Sequence, residues 1–511
     1  MRGLIKKLVF ISVAIVMTAS VILSGCSKGF FEVPDSKSVK KTPTTNLSVP
    51  EFSENKQFRI FADCPPTPKE EYLKAYKDAG FTHYNMTEDS CALTDADRSI
   101  TSATSNDKVA VRTDDDGVIN KDYLAALDRA NAVGLKAVIR NYRADPEYFV
   151  NNNDSLRVSE SPWNIPYRIP IRNITTELTS HPAVEGYYMG DEPSGKRIEE
   201  LVPIVDWYNN YGGGTWFHLN LLQTYGSEYF KPYSYDEYVQ LFCDKILSKV
   251  KGPKTLGTDY YPLKEDRVGK AYIMDGILFD YTVIAEHVNK FNASVTDAND
   301  KILTNFCIQS YNSKTTRKIS SKADITFQTN LAIAFGAKNI QYYLYHGFGK
   351  DDGIVQNSSH IKNDMYYWVD EANEELDVIA DAIMNFEWAG VKTFAGQQIY
   401  DENAKLAFEK IADRELETLS LISSVVARLD TVVTEMQDKD GNKGYMLVNY
   451  TEPSFARANE VMVYFSNKVN KAVVYADGER KVVDVKDNRL MLTLPAGGGA
   501  FVYPVYEGVA K

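Results

Sequence analysis

From residue 57 onward, short runs rich in β-branched and aromatic residues alternate with amphipathic segments of helical period. This rhythm limits what the 511-residue chain can become more than any other feature does. Strands that alternate with helices must lie parallel, because each crossover helix returns the chain to the same end of the sheet. The first strand reads Phe58–Asp63; a helix follows from Thr67 with Leu73, Tyr76 and Ala79 on one face, and Gly80 stops it. Phe81–Met86 forms the second strand. A helix carrying Leu124, Leu127 and Ala130 leads to the third, Leu135–Arg140. Val184–Met189, Thr215–Leu221, Thr255–Tyr261, Ile302–Ile308 and Asn339–Tyr345 complete a set of eight. Helices are expected between them at Ile198–Asn209, Tyr235–Val250 and Ala323–Gly336, with a last one at Met365–Met384. The pattern predicts an α/β fold, a (β/α)8 TIM barrel over residues 57–388. An open doubly wound sheet competes with it, but no glycine-rich phosphate loop follows any of these strands.

Beyond residue 388 the helical period disappears. Gly444–Tyr450, Glu460–Phe465, Ala472–Tyr475, Leu490–Leu494 and Ala500–Tyr503 read as short strands, separated by turns such as Asp440-Gly441-Asn442 and Ala476-Asp477-Gly478. Residues 389–511 are therefore expected to form a small antiparallel β-sandwich, with a helical connector over Asn403–Ser423.

The N-terminus reads as an export signal over residues 1–25. Arg2, Lys6 and Lys7 precede an almost unbroken apolar run from Leu8 to Leu23, which ends in Leu23-Ser24-Gly25-Cys26. Those four residues resemble the bacterial lipobox, and the resemblance implies lipidation of Cys26 and retention at a membrane of the cell envelope, facing outward. A transmembrane helix is the competing reading, since the run approaches the minimum spanning length of about 17 residues. The cleavage-site residues favour the lipoprotein. Residues 26–56, rich in Ser, Thr, Lys and Pro, cannot bury a core and read as a flexible tether. Cys64 and Cys91 follow neighbouring strands and are open to pairing in an oxidising compartment, whereas Cys243 and Cys307 lie in apolar segments and read as buried thiols.

Composition excludes some partners. Lys+Arg total 57 against 69 Asp+Glu, a net charge of −12 that opposes binding to a phosphate backbone. With no C-x-x-C and no clustered histidine, neither a metal site nor a cofactor is expected. The 33 tyrosines suit flat contacts with sugar rings as well as core packing.

Working residues of such barrels sit at the C-terminal strand ends. The strand ends supply Asp63, Glu88, Asp89, Asn141, Asp191, Glu192, His218, Asn220, Asp259, Tyr260, Tyr261, Gln309, Tyr345 and His346 as candidates. The sharpest feature is Gly190-Asp191-Glu192-Pro193. Two adjacent carboxylates repel each other, so one is expected to hold its proton near neutral pH, as a general acid must. The plain alternative is that Asp191 or Glu192 caps the next helix.

The segment His181-Pro182-Ala183-Val184-Glu185-Gly186-Tyr187-Tyr188-Met189-Gly190-Asp191-Glu192-Pro193 resembles the strand-four segment of clan-A glycoside hydrolases, in which Asn-Glu-Pro follows the strand. The resemblance, which extends to the barrel's order and its C-terminal sandwich as in β-galactosidase-type members, implies Glu192 as acid/base, with Asp191 replacing the usual Asn. It also implies a carboxylate nucleophile at the end of strand seven, about 5–5.5 Å from the acid. There the chain has Gln309, which cannot form a glycosyl ester.

Three readings remain open. Asp259, in Gly257-Thr258-Asp259-Tyr260-Tyr261-Pro262, supplies the second carboxylate in an inverting or unconventional arrangement. Alternatively, the Asp191-Glu192 pair resembles that of hexosaminidases whose substrate acetamide is the nucleophile, with Tyr261 supporting the cyclic intermediate. In the third reading the barrel binds glycans without cleaving them. Asp63, His218, Asn220, Tyr261, Gln309, Tyr343 and Tyr345 are the expected saccharide contacts, with Tyr343, Tyr345 and His346 forming an aromatic wall.

Overall fold

The computed structural model describes residues 51–52, 58–87, 121–140, 177–212, 214–313, 319–347, 353–356, 360–398, 402–466 and 469–506. The signal segment, nearly all of the tether, Cys26, Glu88, Asp89, Cys91 and Asn141 lie outside them.

Eight parallel strands form the central sheet: β1 (Arg59–Ala62), β2 (His83–Thr87), β3 (Lys136–Arg140), β4 (Val184–Asp191), β5 (Trp216–Leu221), β6 (Lys254–Asp259), β7 (Ile302–Gln309) and β8 (Ala337–Tyr343). They pair in the order β1-β8-β7-β6-β5-β4-β3-β2. At the seam, the Thr82 N–H donates to the Ile60 carbonyl at 2.9 Å, and the Ile60 N–H donates to Thr82 Oγ1 at 2.8 Å. The strands thus curl into a nearly closed (β/α)8 barrel.

Helices cover the outside: α1 (Glu70–Asp78), α2 (Lys121–Ala132), α3 (Gly195–Glu200), α4 (Val202–Tyr211), α5 (Tyr235–Phe242), α6 (Ile277–Asn292), α7 (Lys322–Ala334) and α8 (Asp364–Ile383). Helix α1 starts with Glu70 and Glu71 and ends with Lys77, each complementing the helix dipole, and buries Leu73 and Tyr76. A reciprocal capping box between Ser234 and Glu237 opens α5. The single helix expected over Ile198–Asn209 is two, α3 and α4. Pro203 lies in the first turn of α4, where its missing N–H leaves no backbone bond unmade. The helix expected to run to Val250 changes at Cys243 into a π-helical turn, Cys243–Leu247, whose Cys243, Ile246 and Leu247 are buried. Helix α6, absent from the sequence expectation, is apolar on most of its faces because it lies between the barrel and a further helix.

The C-terminal part holds α9 (Glu402–Ile411) and nine strands: β9 (Phe386–Phe394), β10 (Ile422–Ala427), β11 (Thr431–Asp438), β12 (Lys443–Asn449), β13 (Asn459–Phe465), β14 (Val469–Ala476), β15 (Glu479–Asp484), β16 (Arg489–Leu494) and β17 (Gly499–Tyr506). They form a six-stranded antiparallel sheet, β9-β11-β12-β17-β14-β15, and a three-stranded one, β10-β13-β16. The connector expected over Asn403–Ser423 is helical only to Ile411.

Both faces of the larger sheet's inner strands are buried, while the edge strand Glu479–Asp484 is exposed. Met446 and Val448 join the barrel's core, while their neighbours Tyr445 and Leu447 join the core between the two sheets. Val473 and Tyr475 alternate in the same way with Ala472 and Val474, as do Phe501 and Tyr503 with Ala500 and Val502. Two-sided burial is why these strands read as continuous apolar runs. Each such buried aliphatic or aromatic side chain contributes roughly 1.5–3 kcal/mol, so this sheet is a firm buttress for the barrel's α7 and α8.

Candidate active site

Side chains two residues apart along each barrel strand point inward, and those near the C-terminal ends build a polar floor. On β1 and just past it these are Arg59, Phe61 and Asp63; on β5 they are Trp216, His218 and Asn220. Asp63 is buried. Its Oδ1 accepts from Asn85 Nδ2 at 2.6 Å and faces Arg140 Nη1 at 3.5 Å, and its Oδ2 accepts from Gln341 Nε2 at 2.8 Å. Burial, opposed by the Arg140 charge, pushes the Asp63 pKa up to about 6. Asn220 Nδ2 donates to Tyr188 Oη and to Gln341 Oε1, both at 3.0 Å, and Asn220 Oδ1 accepts from Asn305 Nδ2 at 3.1 Å. Gly257 leaves room for this floor: a Cβ there would stand 1.9 Å from the Asn305 carbonyl oxygen.

Asp191 is held at both oxygens. Arg140 Nη2 donates to Oδ2 at 2.9 Å, and the Tyr188 hydroxyl donates to Oδ1 at 2.6 Å. The Arg140 guanidinium also lies over the Tyr188 ring, 4.3 Å from its centroid. Between Tyr188 and Asp191 the pairing of β4 with β5 slips, an irregularity that re-aims the strand end.

Glu192 follows with φ +48°, a left-handed conformation that a residue with a Cβ adopts at a cost of order 1 kcal/mol. Its N–H donates to the Asn220 carbonyl at 3.0 Å. The cap of α3 is Ser194, whose Oγ accepts from the Arg197 N–H at 3.4 Å. Neither Asp191 nor Glu192 serves as that cap.

Asp63, Asp191, Glu192, Asn220, Gln223, Tyr225, Asp259, Tyr261, Lys264, Tyr311 and Tyr343 line one open cleft of about 420 Å³ at the C-terminal ends of the strands. That volume suits a saccharide unit or two. Burial raises the Glu192 pKa and the Asp191 charge adds to it, while the neighbouring Asp259 and Gln223 act in the opposite sense. Asp259 is more deeply buried. Its pKa lies well above the usual carboxylate range, first through burial and then through the charges of Glu192 and Asp191, and the neighbouring Tyr261 tempers the shift. Two neighbouring carboxyls of this kind titrate as a pair, with the proton held more tightly than by an isolated carboxylate. Tyr261, Tyr311 and Tyr343 form a cluster on one wall, with ring centroids 5.3–5.5 Å apart.

Several expected contacts fall elsewhere. His218 is fully buried beneath the floor, its Nδ1 2.7 Å from Thr255 Oγ1 and its Nε2 3.1 Å from Gln341 Oε1. Burial lowers its pKa to about 3, so it is a neutral packing residue that does not reach the cleft. Tyr345 lies past the end of β8, which stops at Tyr343. Its ring packs on Tyr76 and Phe81 between barrel and helix, so it forms no cleft wall. Gln309 is buried: its backbone N–H donates to Gln328 Oε1 at 2.8 Å, and its Nε2 faces the Tyr311 carbonyl at 3.5 Å. It does not line the cleft. His346 is also buried, its ring 4.9 Å from that of His360.

The structure adds residues the sequence did not single out. Asn85, Arg140, Tyr188, Asn305 and Gln341 obey the period-two alternation and were recoverable from it; Gln223, Tyr225, Lys264 and Tyr311 follow strand ends on loops that carry no periodic signal. Among the described residues, no group of three or more His, Cys, Asp and Glu side chains is placed to hold a metal ion.

Fold and site together define a (β/α)8-barrel protein with an acidic, tyrosine-walled cleft at the C-terminal face. No family model matches the sequence, and no curated protein does. Solved structures similar to the chain include a family 39 glycoside hydrolase from the gut symbiont Bacteroides cellulosilyticus WH2, at 13% identity and TM-score 0.45, over 89% of this chain and 83% of that one. A GH27 β-L-arabinopyranosidase from Geobacillus stearothermophilus matches at 12% identity and TM-score 0.47, over 90% and 98%. A family 5 glycoside hydrolase from Bacteroides vulgatus ATCC 8482 matches at 10% identity and TM-score 0.49, over 88% and 89%.

Proposed function

We propose that the chain is a glycoside hydrolase that cleaves O-glycosidic bonds in this cleft, with Glu192 as general acid and Asp259 as the second carboxyl. The observation that carries the reading is the pairing of Glu192 with Asp259, two carboxyls with raised pKa values that line one open cleft. Glycosidic cleavage needs a carboxylic acid to protonate the leaving oxygen and a carboxylate to support positive charge at the anomeric carbon. Two such carboxyls, one protonated and one ionised, supply both. The deeper burial of Asp259 favours the proton there in the free cleft. As a glycosidic oxygen enters, Glu192, the more exposed, relays the proton to it, Asp259 is left as the carboxylate, and water adds to the anomeric carbon as the leaving alcohol departs. Asp191, held at both oxygens, positions the Glu192 turn and raises the acid's pKa. That engagement argues against Asp191 as the group that orients a substrate acetamide.

The test is a panel of aryl glycosides with the parent chain, Glu192→Gln and Asp259→Asn. Each variant is expected to lose at least about 10²-fold in kcat/KM. Glycan binding by the parent without turnover would replace this reading with a non-catalytic glycan-binding protein. We also propose that the chain is exported and lipid-anchored through Cys26, so that the cleft faces outward at a bacterial envelope. Labelled palmitate should enter the parent and not Cys26→Ala; equal labelling of both would rule the anchor out.

A further inference from the structure

Among the described residues, Lys264 is the one cation that lines the cleft. Lys264 lies on the short hairpin that follows β6, in which Leu263–Glu265 pairs with Ala271–Ile273. Leu263 enters the hydrophobic core, and Lys264, next in the strand, turns the other way toward the cleft. It is half-buried, and burial alone pulls its pKa below the ordinary lysine range, with no carboxylate acting against it. The acidic residues beside it in sequence are engaged or turned away. Asp266 Oδ1 accepts from the N–H groups of Val268, at 2.9 Å, and Lys270, at 2.8 Å, closing the hairpin turn. Glu265 is exposed at the strand end.

Across the cleft, Asp63 and Asp191 face Arg140, and Glu192 and Asp259 face each other. An ammonium drawn half out of water, with no counter-ion among the described residues, is unfavourable in the free protein, and an arriving anion relieves that cost. Arg140 offsets Asp191, and the raised pKa values of Glu192 and Asp259 lessen the negative charge they carry, so the opposite wall repels an anion less than its four carboxyls imply.

We propose that Lys264 receives an anionic substituent of the saccharide, a uronate carboxylate or a sulfate ester, and makes the cleft selective for acidic glycosides. This rests on the glycosidase reading and names its substrate class.

The experiment pairs acidic with neutral probes in both anomers: 4-nitrophenyl glucuronide with glucoside, galacturonide with galactoside, and glucoside 6-sulfate with glucoside. The parent is expected to favour the acidic member of at least one pair, and which pair responds distinguishes carboxylate from sulfate. In Lys264→Gln the acidic-to-neutral ratio of kcat/KM should fall about 10- to 100-fold, the size of a lost charge-assisted hydrogen bond. Lys264→Arg should retain most of the preference, which a merely structural role would not explain. A neutral preference in the parent, or an unaltered ratio in Lys264→Gln, overturns the proposal. If no probe is turned over, the hydrolase reading fails separately. Calorimetry with tetragalacturonate and with galactotetraose then reads the charge preference as binding, supporting the proposal if the acidic sugar binds tighter and loses that advantage in Lys264→Gln, and refuting it otherwise.

Discussion

Asp63 offers a measurable consequence of building a polar floor inside a barrel. Its carboxyl is fully buried and titrates at about 6 in the folded chain, whereas an unfolded aspartate titrates at roughly 3.9. The folded state therefore binds more protons than the unfolded state between these values, and stability falls as pH rises through that window. A shift of about two units corresponds to about 3 kcal/mol of stability that is present below pH ~4 and lost above pH ~6. Asp63→Asn removes this titration. The variant also loses an acceptor for Asn85 or Gln341, a cost of roughly 1–3 kcal/mol that does not change with pH. Taken alone, the stability of the variant at one pH is thus ambiguous, but the difference between variant and parent is not. Urea unfolding followed by tryptophan fluorescence should show that difference moving in favour of Asp63→Asn by about 2 kcal/mol from pH 4 to pH 7. A flat difference, or one moving the other way, would refute the claim that Asp63 is a desolvated acid which Arg140 only partly compensates.

Two further outcomes follow from the same site. Asp191→Asn removes a charge that raises the pKa of both Glu192 and Asp259, so the alkaline limb of the kcat/KM profile should move to lower pH; a limb that stays in place or moves up would refute that coupling. Gly257→Ala puts a Cβ 1.9 Å from the Asn305 carbonyl oxygen, backbone that cannot give way, and should cost more than about 3 kcal/mol; a parent-like unfolding midpoint would show that β6 and β7 approach less closely.

Most of the barrel was legible because its signal is local. Each strand of Val, Ile, Phe and Tyr is followed by a helix with one apolar face, and the number of such units fixes the closure. Where the local signal failed, a neighbour supplied the reason. Helix α6 lacks a clean polar face because it is covered on both sides, and β11 was passed over although its Val432 and Val433 feed two different cores. The candidate site was legible only at strand ends. Asp63, Asp191, Glu192, Asn220, Asp259, Tyr261 and Tyr343 reach the cleft, while His218 sits a layer too deep and Tyr345 lies past the strand, on its helix-facing side.

The sequence by itself determined the alternation of strand and helix, the two-sided apolar runs of the C-terminal sheet, and the adjacent carboxylates ahead of Pro193, because these depend on residues a few positions apart. Only the tertiary structure decided that Glu192 meets Asp259 and not residue 309, that Arg140 grips Asp191, and that Lys264 faces the cleft with no counter-ion among the described residues. Those pairings join side chains tens of residues apart. Their energies depend on burial and distance, which no stretch of sequence contains until the barrel has closed.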